Sequence, residues 1–562
     1  MFNEISQNLR LALTTIIFAL ASGLISVSFM LMVNFIFART ILSFSQHSMI
    51  YFLLSSLAAV LVTSLLSGLL VNFFSPSAAG SGIPQVKVAY WQELGRIDLK
   101  TGIVKYLAGI INIGGGTSLG REGPSVFLGS AVASNLSGLF RFERNQRRGP
   151  CLVGASSGLA AAFNAPLASI TFVIEEILGD LNSRHLGSVI LAAVSASFVV
   201  HAIIGSQPAF QMARVENVSW NHYLIVPVAA LLASLVGVIF QKWMLAFRSK
   251  FQKQKKIPLW AKPLAGGLST WLLGVAVFYL TGKLGVFSLG YQDLSAVLKN
   301  DFPWKAAGIL IVAKLLATAL SYAAGGCGGI FAPLLFMGGM SGFFVGGLFS
   351  QWVNLQSSDH IVLAAVGMTA CLGAVVRAPL TSLLIVFEMT HQFELVPGLL
   401  LATLIGQGVA RLAGPHNIYD ALLLQDGYQL HKIKPPLDLR SWQNQPVSTV
   451  ANYQPVVIKS LSPAELSQII DKYPYRYFPV QQNGQVAGLV SRENIKDYLN
   501  NKGEIEILAP AFAYEDESIK EIGNRFLQTP SNVLLIKRRE DEQLVALITL
   551  HDLIRAQASV EE

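Results

Sequence analysis

Residues 153–176, VGASSGLAAAFNAPLASITFVIEE, decide the fold of this chain, because a similar segment, VGMTACLGAVVRAPLTSLLIVFEM, follows at residues 366–389. The segments upstream also match, since KYLAGIINIGGG from Lys105 lies over KLLATALSYAAG from Lys314. A glycine-rich break precedes each copy. Two related halves with paired breaks are typical of transporters that are built from a duplicated unit around a site near mid-membrane. A duplication with a purely architectural role is the alternative.

The composition around this repeat is that of a membrane protein. Of the 562 residues, 13% are charged and 52% are hydrophobic, whereas soluble domains contain about 25% charged residues. Apolar runs long enough to cross a bilayer, which takes about 20 residues, recur at 11–38, 49–72, 186–204, 223–240, 264–281 and 306–323. We therefore predict an all-α polytopic membrane domain over residues 1–430.

The charge and the cysteines exclude other classes. The net charge of +8 needs no nucleic-acid partner, because lysine and arginine collect in the cytoplasmic loops of membrane proteins. The basic loops at 141–148 and 242–256 are accordingly expected to face the cytoplasm. Three cysteines, far apart and without a CxxC pair, predict neither a disulfide framework nor a metal site: Cys151, Cys327 and Cys371.

A different kind of chain begins after residue 430, where charged residues become frequent. Residues 431–446, HKIKPPLDLRSWQNQP, are typical of an exposed linker. Beyond them, β-like and helical patterns alternate twice, and each unit contains a hairpin between apolar strands, turned at Asn483-Gly484 in the first. We predict two small α/β modules, at 447–498 and 506–557.

Each charged residue within an apolar segment is a functional hypothesis, because a charge in a bilayer is costly. Glu175 and Glu388 occupy matching positions in the repeat, so we interpret them as a shared capping pair. Glu122 and Glu176 have no acidic counterpart in the other copy, and this asymmetry indicates function. Three basic residues are interpreted as structural charges near helix ends: Lys105, Lys314 and Arg377.

Three glycine-rich breaks, each closely followed by proline, are expected to be helix starts: GSGIP (80–84), GREGP (120–124) and GGIFAP (328–333). Unpaired N–H groups and the helix dipole at such a start attract anions. Three helix starts that converge on one point form a site that binds an anion through partial charges, with no full positive charge in the site. This keeps the affinity for the anion low enough for rapid transit.

These motifs, followed by the tyrosine of NIYDALL (417–423), resemble the CLC family of chloride channels and proton-coupled chloride exchangers over about residues 10–430. The resemblance implies a homodimer in the lipid bilayer in which each subunit holds its own pore between two inverted halves. It also implies that hydroxyls and backbone amides of four residues hold the chloride: Ser81, Tyr419, Ile330 and Phe331.

The resemblance gives roles to two acids. Glu122 matches the external gate, whose carboxylate occupies an anion site and leaves it when protonated. Glu176 matches the inner acid that relays protons in the exchangers and that channel members usually lack. Chloride/proton antiport is therefore favoured over a passive voltage- or pH-gated channel. Chloride is favoured over nitrate, since nitrate-preferring members have proline at Ser81, and over fluoride, since that branch lacks Tyr419.

The two tail modules resemble a pair of CBS domains. In that family a Ser/Thr-x-x-Asp at the start of the last helix often contacts a nucleotide ribose, and Thr549 and Asp552 match it. An adenine nucleotide (ATP, ADP or AMP) is therefore an expected ligand of the tail, while no cofactor is required. A threonine N-cap explains the pattern equally well. The resemblance implies a plasma-membrane protein, in a bacterium an inner-membrane protein, with a cytoplasmic tail.

An intramembrane serine hydrolase is the rival from another class, because GASSG at residues 154–158 satisfies the GxSxG motif. That motif needs a general base, and the only histidine deep in an apolar run, His201, has no acid beside it. Small residues that pack helices explain GASSG better. We therefore expect a transporter and no enzyme.

Overall fold

The computed structural model describes residues 2–143, 146–179, 185–205, 210, 212–215, 221–254, 256–430, 445–482, 485–500, 503–529, 531–540 and 542–554. Seventeen helices lie within the described residues up to 430: α1 (Phe2–Phe37), α2 (Met49–Phe74), α3 (Ile83–Trp91), α4 (Leu99–Gly114), α5 (Glu122–Leu139), α6 (Arg148–Phe163), α7 (Pro166–Phe172), α8 (Leu186–Ile203), α9 (Asn221–Lys253), α10 (Lys262–Thr281), α11 (Tyr291–Leu298), α12 (Trp304–Ala323), α13 (Phe331–Phe349), α14 (Ser357–Val376), α15 (Pro379–Thr390), α16 (Val396–Ala413) and α17 (Ile418–Gln425). A π-helix, Val173–Leu178, continues α7.

Nine helical segments within these described ranges are long and apolar enough to cross a membrane. Five of them contain a predicted apolar run, and a sixth, Leu186–Ile203, matches the run predicted at 186–204 to within one residue, so the six runs are confirmed as helices. The other three are Phe331–Phe349, Ser357–Val376 and Phe393–Gln425. The first two are 89% and 94% buried inside the protein over their most apolar window, so much of their surface faces other helices. Their hydropathies of 1.6 and 1.8 equal those of Leu259–Thr281 and Trp304–Ala323, so hydropathy does not separate them from the predicted runs, and their glycines serve the packing.

The two copies of the repeat build the same helix pair. In the first copy α5 packs on α6, and in the second α13 packs on α14. A Cβ on Gly154 would lie 2.2 Å from the carbonyl oxygen of Gly129. In the second pair, a Cβ on Gly367 would lie 2.1 Å from the carbonyl oxygen of Gly338. Because glycine lets the backbones approach this closely, the repeat in sequence is also a repeat in packing.

Glu175 and Glu388 each cap a helix of the opposite half. The Glu388 carboxylate accepts hydrogen bonds from two N–H groups at the start of α7, at 2.9 and 2.7 Å. The Glu175 carboxylate accepts hydrogen bonds from two N–H groups at the start of α15, at 3.0 and 2.9 Å. A carboxylate satisfies such unpaired donors and complements the helix dipole. The predicted capping pair is therefore confirmed.

The three basic residues within apolar segments donate to backbone carbonyls. Lys105 Nζ donates to the carbonyl of Gly80 at 2.9 Å. Lys314 Nζ donates to three carbonyls in the loop 285–288, at 2.7 to 3.2 Å. Arg377 donates to two carbonyls at the end of α16, at 2.8 and 2.7 Å. These contacts fit structural charges, but only Arg377 lies at a helix end, whereas Lys105 and Lys314 are buried in the middle of α4 and α12.

The tail is a separate compact unit, since contacts divide the chain into Met1–Lys434 and Pro435–Glu562. Its elements are α18 (Pro463–Lys472), β1 (Tyr477–Gln482), β2 (Gln485–Ser491), α19 (Arg492–Leu499), β3 (Ala511–Tyr514), α20 (Ile519–Gln528), β4 (Val533–Lys537) and β5 (Leu544–Thr549). The β1 and β2 strands pair antiparallel, while β4 pairs parallel with β3 and antiparallel with β5. The two predicted hairpins are present, although the turn at 483–484 and most of the predicted linker, 431–444, lie outside the described residues.

The cores of the tail do not follow the predicted module boundaries at 447 and 506. Val447 is buried in the hydrophobic core that contains β4 and β5, and Asn452 pairs with Leu547 of β5 through two backbone hydrogen bonds of 2.8 and 3.0 Å. In turn, Leu508 pairs with Leu489 of β2, at 2.8 and 3.0 Å. Short segments thus complete the sheet of the other module, because an unpaired strand edge gains a partner there.

Candidate ion-translocation site

The three glycine breaks are helix starts, as the sequence predicted. Gly82 is the N-cap of α3 and takes the left-handed conformation, with φ of 96°. Arg121 is the N-cap of α5, and Ile330 is the N-cap of α13. The first residues of a helix have no acceptor within it for their N–H groups. Each break therefore supplies backbone donors in the interior of the membrane domain.

The three helix starts also meet. Gly120 and Gly329 pair through two backbone hydrogen bonds of 2.7 and 2.6 Å, which join the breaks of the two halves. A Cβ on Gly123 would lie 2.8 Å from Ser81, so the start of α3 touches the start of α5. The predicted convergence of the helix starts is therefore what the structure contains.

Glu122, the predicted gate, is completely buried at the start of α5. Its Oε1 accepts a hydrogen bond from the Tyr291 hydroxyl at 2.6 Å. Its Oε2 accepts a second hydrogen bond, at 3.3 Å, from the N–H of Ala332 in the first turn of α13. The carboxylate thus lies at a helix start, where the dipole favours an anion, and its two hydrogen-bond donors among the described residues are uncharged.

A cavity of about 500 Å³ is lined by Tyr291, the hydroxyl donor to Glu122, and by Arg121 among others. The Arg121 guanidinium lies 5.3 Å from the centre of the Tyr291 ring. Phe210 packs edge-on against that ring, with 4.8 Å between the ring centres. These contacts hold the tyrosine in place beside the gate.

Tyr419 and Phe331, two predicted chloride residues, are neighbours. Their rings stack with 6.4 Å between the centres and 20° between the planes. The Tyr419 hydroxyl is buried, and it has no hydrogen-bond partner among the described residues. Buried polar groups are almost always paired, so this donor fits an anion next to the start of α13.

Ser81 lies on another side of the same region. It is 1% exposed, and its hydroxyl oxygen accepts from the N–H of Ile83 at 3.4 Å, which leaves the hydroxyl hydrogen able to donate. The backbone N–H of Ser81 donates to the Tyr322 hydroxyl at 3.4 Å. With Ile330 and Phe331 at the start of α13, these groups form a set of uncharged donors that suits a halide.

Glu176, the predicted inner acid, is paired with a cation. Lys87 Nζ lies 2.6 Å from Glu176 Oε1, and both side chains are buried. The Asn417 side-chain amide donates to Glu176 Oε2 at 3.0 Å. Lys87 Nζ also lies 2.6 Å from Asp420 Oδ1. Residues from α3, α17 and the π-helix after α7 therefore build one buried ion cluster.

Sequence reasoning missed four residues of this arrangement: Lys87, Asn417, Asp420 and Tyr291. Lys87 follows GSGIP in a short helix, where a lysine is normally a surface residue. One signal was available, because Asp420 directly follows Tyr419 inside an otherwise apolar segment. No local pattern indicated Tyr291, which reaches Glu122 only through the fold.

A second cavity, of about 630 Å³, is lined by Gly80, Gln85 and Tyr322 among others. Tyr322 also contacts Ser81, so Ser81 lies next to a residue of the cavity wall. An ion pair between Arg248 and Asp426, at 2.7 Å, lies on its wall. One cavity is thus lined by Tyr291, which bonds Glu122, and the other by Tyr322, which contacts Ser81.

Ser156, the candidate nucleophile of the GASSG motif, is a packing residue. Its hydroxyl donates to the carbonyl of Val189 at 3.1 Å and lies 3.3 Å from the Ser169 hydroxyl. Gly154 and Gly158 of the motif approach the backbone of α5. The interpretation of GASSG as a helix-packing motif agrees with these contacts.

Within the described ranges, no group of three or more His, Cys, Asp or Glu side chains is placed to hold a metal ion. Cys151, Cys327 and Cys371 are buried free cysteines.

Thr549 and Asp552 form a reciprocal cap at the start of the last tail helix. The Thr549 N–H and hydroxyl donate to the Asp552 carboxylate, at 2.9 and 2.7 Å. The Asp552 N–H donates back to the Thr549 hydroxyl at 3.2 Å. The capping interpretation therefore accounts for both side chains.

Known proteins resemble the chain over most of its membrane part. The family profile described as voltage gated chloride channel matches residues 63–411. The H(+)/Cl(−) exchange transporter ClcA of Vibrio parahaemolyticus serotype O3:K6 is 32% identical over 381 residues, which covers 65% of this chain and 79% of that protein. ClcA of Vibrio vulnificus (strain YJ016) is 30% identical over 416 residues, covering 72% and 86%.

Solved structures share the fold. A slow cyanobacterial Cl−/H+ antiporter superposes with a TM-score of 0.63 at 25% identity, covering 74% of this chain and 98% of that one. A eukaryotic CLC transporter, at 19% identity and a TM-score of 0.62, covers 98% of both chains. This second match concerns the fold alone. From the helix starts, the repeat and the match over residues 63–411, the chain belongs to the voltage-gated chloride channel (CLC) family.

Proposed function

We propose that this protein exchanges chloride for protons across a membrane, with Glu122 as the gate of the chloride path. The observation that carries the proposal is the position of the Glu122 carboxylate, which accepts from Ala332 N–H at the start of α13. A carboxylate there occupies a place that suits an anion. Protonation removes its charge and weakens this hold, so proton uptake by Glu122 opens the path for chloride.

The chloride is held by uncharged donors: the hydroxyls of Ser81 and Tyr419 and the N–H groups of Ile330 and Phe331. The unpaired, buried Tyr419 hydroxyl supports this assignment. A site without a full positive charge binds an anion and still releases it rapidly.

Glu176 relays protons between Glu122 and the inner solution. It is buried, it has no acidic counterpart in the repeat, and its neighbour Glu175 is occupied as a helix cap. The curated relatives bear the name H(+)/Cl(−) exchange transporter, which supports antiport and places the family among transporters. Hydrolysis at Ser156 is not proposed.

Proteoliposomes test the proposal directly. An outward-directed chloride gradient should drive proton uptake, measured with a pH electrode beside a chloride electrode. Glu176→Gln should stop the proton flux and leave chloride flux in place. Glu175→Gln is the matched control, since an amide oxygen still accepts hydrogen bonds, and it should keep proton flux. Proton coupling that survives in Glu176→Gln contradicts the relay.

A passive chloride channel is the second candidate, and the Lys87–Glu176 ion pair favours it. A glutamate held by a buried lysine fits a structural role as well as a relay. In that case wild-type protein conducts chloride in the same liposomes without any proton uptake, whatever the gradient.

We also propose that the protein is a homodimer in the plasma membrane, the inner membrane of a bacterium, with its tail in the cytoplasm. The basic loops at 141–148 and 242–256 support this orientation. Light scattering of the detergent-solubilised protein should give twice the 60.7 kDa chain mass. A monomer mass, or protease access to the tail from outside intact cells, contradicts these assignments.

For the tail we propose two CBS modules and an adenine nucleotide as regulatory ligand. Thr549 and Asp552 hold the ribose by exchanging their mutual hydrogen bonds for bonds to its hydroxyls. ATP, ADP or AMP at millimolar concentration should then raise the melting temperature of the full chain, since a ligand of the folded state stabilises it. Asp552→Ala should remove this shift. The absence of a shift with all three nucleotides leaves these residues as a helix cap.

A further inference from the structure

Lys87 is a fully buried cation that contacts two carboxylates. Its side chain has no solvent exposure, and its ammonium lies 2.6 Å from one oxygen each of Glu176 and Asp420. A lysine is almost never fully buried unless it is paired. Here one cation is shared by two carboxylates, so the three side chains together carry a net charge of −1 when all are ionised.

A single partner would conflict with proton relay at Glu176. If Lys87 had only Glu176 as its counter-ion, each proton taken up by Glu176 would leave a buried, uncompensated ammonium. Leaving a buried charge without its partner is strongly unfavourable. The pair would then hold Glu176 in its ionised state and block the relay.

The second carboxylate removes this conflict. When a proton binds Glu176, Lys87 keeps Asp420 as counter-ion, and the net charge of the cluster changes from −1 to zero. No other proton moves, and no bond is broken except the ion pair to Glu176. The Asp420 side chain is 17% exposed and that of Glu176 is 2% exposed, so water helps to keep Asp420 ionised.

The neighbouring side chains are consistent with Glu176 as the proton-binding acid and Asp420 as the lasting counter-ion of Lys87. Asn417 donates through its amide nitrogen to Glu176 Oε2 at 3.0 Å, and its amide oxygen accepts from the Asp420 N–H at 2.8 Å. One side chain therefore fixes both acids relative to each other. The charge of Arg377 also acts on Asp420, and Tyr419 interacts electrostatically with Glu176.

Provided that Glu176 is the inner proton relay proposed above, we propose that Asp420 is a positioning residue that serves as alternate counter-ion of Lys87 and thereby allows Glu176 to bind and release protons. Lys87 turns toward Asp420 when Glu176 is neutral and toward both acids when Glu176 is ionised. Asp420 itself carries no transported proton.

The test compares proton and chloride fluxes of full-length variants in proteoliposomes. Asp420→Asn should lower proton flux at least tenfold at neutral pH, keep chloride flux, and move the pH dependence of proton flux to more acidic values. Asp420→Glu should restore coupling. Lys87→Met combined with Asp420→Asn should recover proton flux relative to Asp420→Asn alone, because no buried cation then holds Glu176.

The outcomes separate this inference from the relay itself. Proton flux that persists in Glu176→Gln overturns the relay, whatever Asp420 does. If Glu176→Gln loses proton flux while Asp420→Asn keeps it, the counter-ion role is overturned and the relay stands. If Lys87 and Asp420 only anchor α3 to α17, the double variant should lose both fluxes further instead of recovering one, and this result also overturns the proposal.

Discussion

Glu122 and Glu176 are the same residue type, and both are buried in the membrane domain, yet they are held in different ways. Two uncharged donors hold Glu122, the phenol of Tyr291 and the N–H of Ala332. A cation, Lys87, holds Glu176 together with a side-chain amide. The two ends of the proposed proton path therefore differ in the charge of their surroundings.

This difference indicates which acid moves. Protonation of Glu122 weakens its hydrogen bonds to two neutral donors and breaks no direct ion pair, although the charge of Arg121 lies nearby, so Glu122 can depart. Protonation of a carboxylate that is paired with a buried cation requires the cation to find another partner. Glu176 therefore suits a fixed relay and Glu122 a gate. Each of the following variants tests one side of this comparison.

The largest effect is expected from Glu122→Gln. Glutamine resembles the protonated gate but cannot bind and release a proton, so proton flux should be abolished while chloride still passes. Parallel chloride and pH electrode recordings from proteoliposomes measure both. Glu388→Gln is the control, because Glu388 is a buried glutamate that serves as a helix cap. Unchanged proton coupling in Glu122→Gln would remove Glu122 from the mechanism.

Gly120→Ala should displace the gate without removing its carboxyl group. A Cβ at this position would lie 2.5 Å from Glu122 Oε2 and 3.2 Å from Ala332 N, beside the hydrogen bond that joins them. The flexible carboxylate gives way, so chloride should leak and fewer protons should move per chloride. Gly187→Ala in α8, where a Cβ meets nothing within 4 Å, is the control. A coupling ratio equal to that of Gly187→Ala would show that the gate tolerates the methyl group.

The sequence predicted those parts of the molecule that local chemistry determines. A glycine-rich break that is closely followed by proline indicates a helix start from local sequence alone. Matching positions in a repeat indicate matching contacts, as at Glu175 and Glu388. The ion cluster was out of reach, because Lys87, Glu176 and Asp420 are far apart in the chain and only tertiary packing brings them together. The tail hairpins were predictable from alternation, whereas the packing of Val447 in the second core depends on tertiary contacts that no local pattern shows.

Tyr419→Phe should weaken chloride binding and preserve the stacking on Phe331. The lost hydroxyl is a donor to an anion, worth about 1.5 to 3 kcal/mol, which corresponds to roughly a tenfold to hundredfold increase in Kd. Titration calorimetry with chloride measures this change. Tyr106→Phe, whose hydroxyl lies beside Ser28, is the matched control. Equal chloride affinity in the two variants would assign the binding to the backbone amides alone.

The smallest effect is expected from Tyr291→Phe, which tests how much one of the two neutral donors contributes to holding Glu122. The variant removes the shorter hydrogen bond of the gate, whereas the bond from Ala332 N–H remains and water in the adjoining cavity of about 500 Å³ takes over part of the loss. A net change of about 0.5 to 1.5 kcal/mol should raise chloride turnover roughly twofold to tenfold. The ratio of protons to chloride should stay the same, because Glu122 still binds its proton and the Glu176 cluster is untouched. Tyr279→Phe, at a side chain that is 77% exposed, should leave turnover unchanged.

Slower chloride turnover in Tyr291→Phe would mean that the phenol stabilises the open state of the gate more than the closed state. That result would reverse its assignment as the group that holds Glu122 in place.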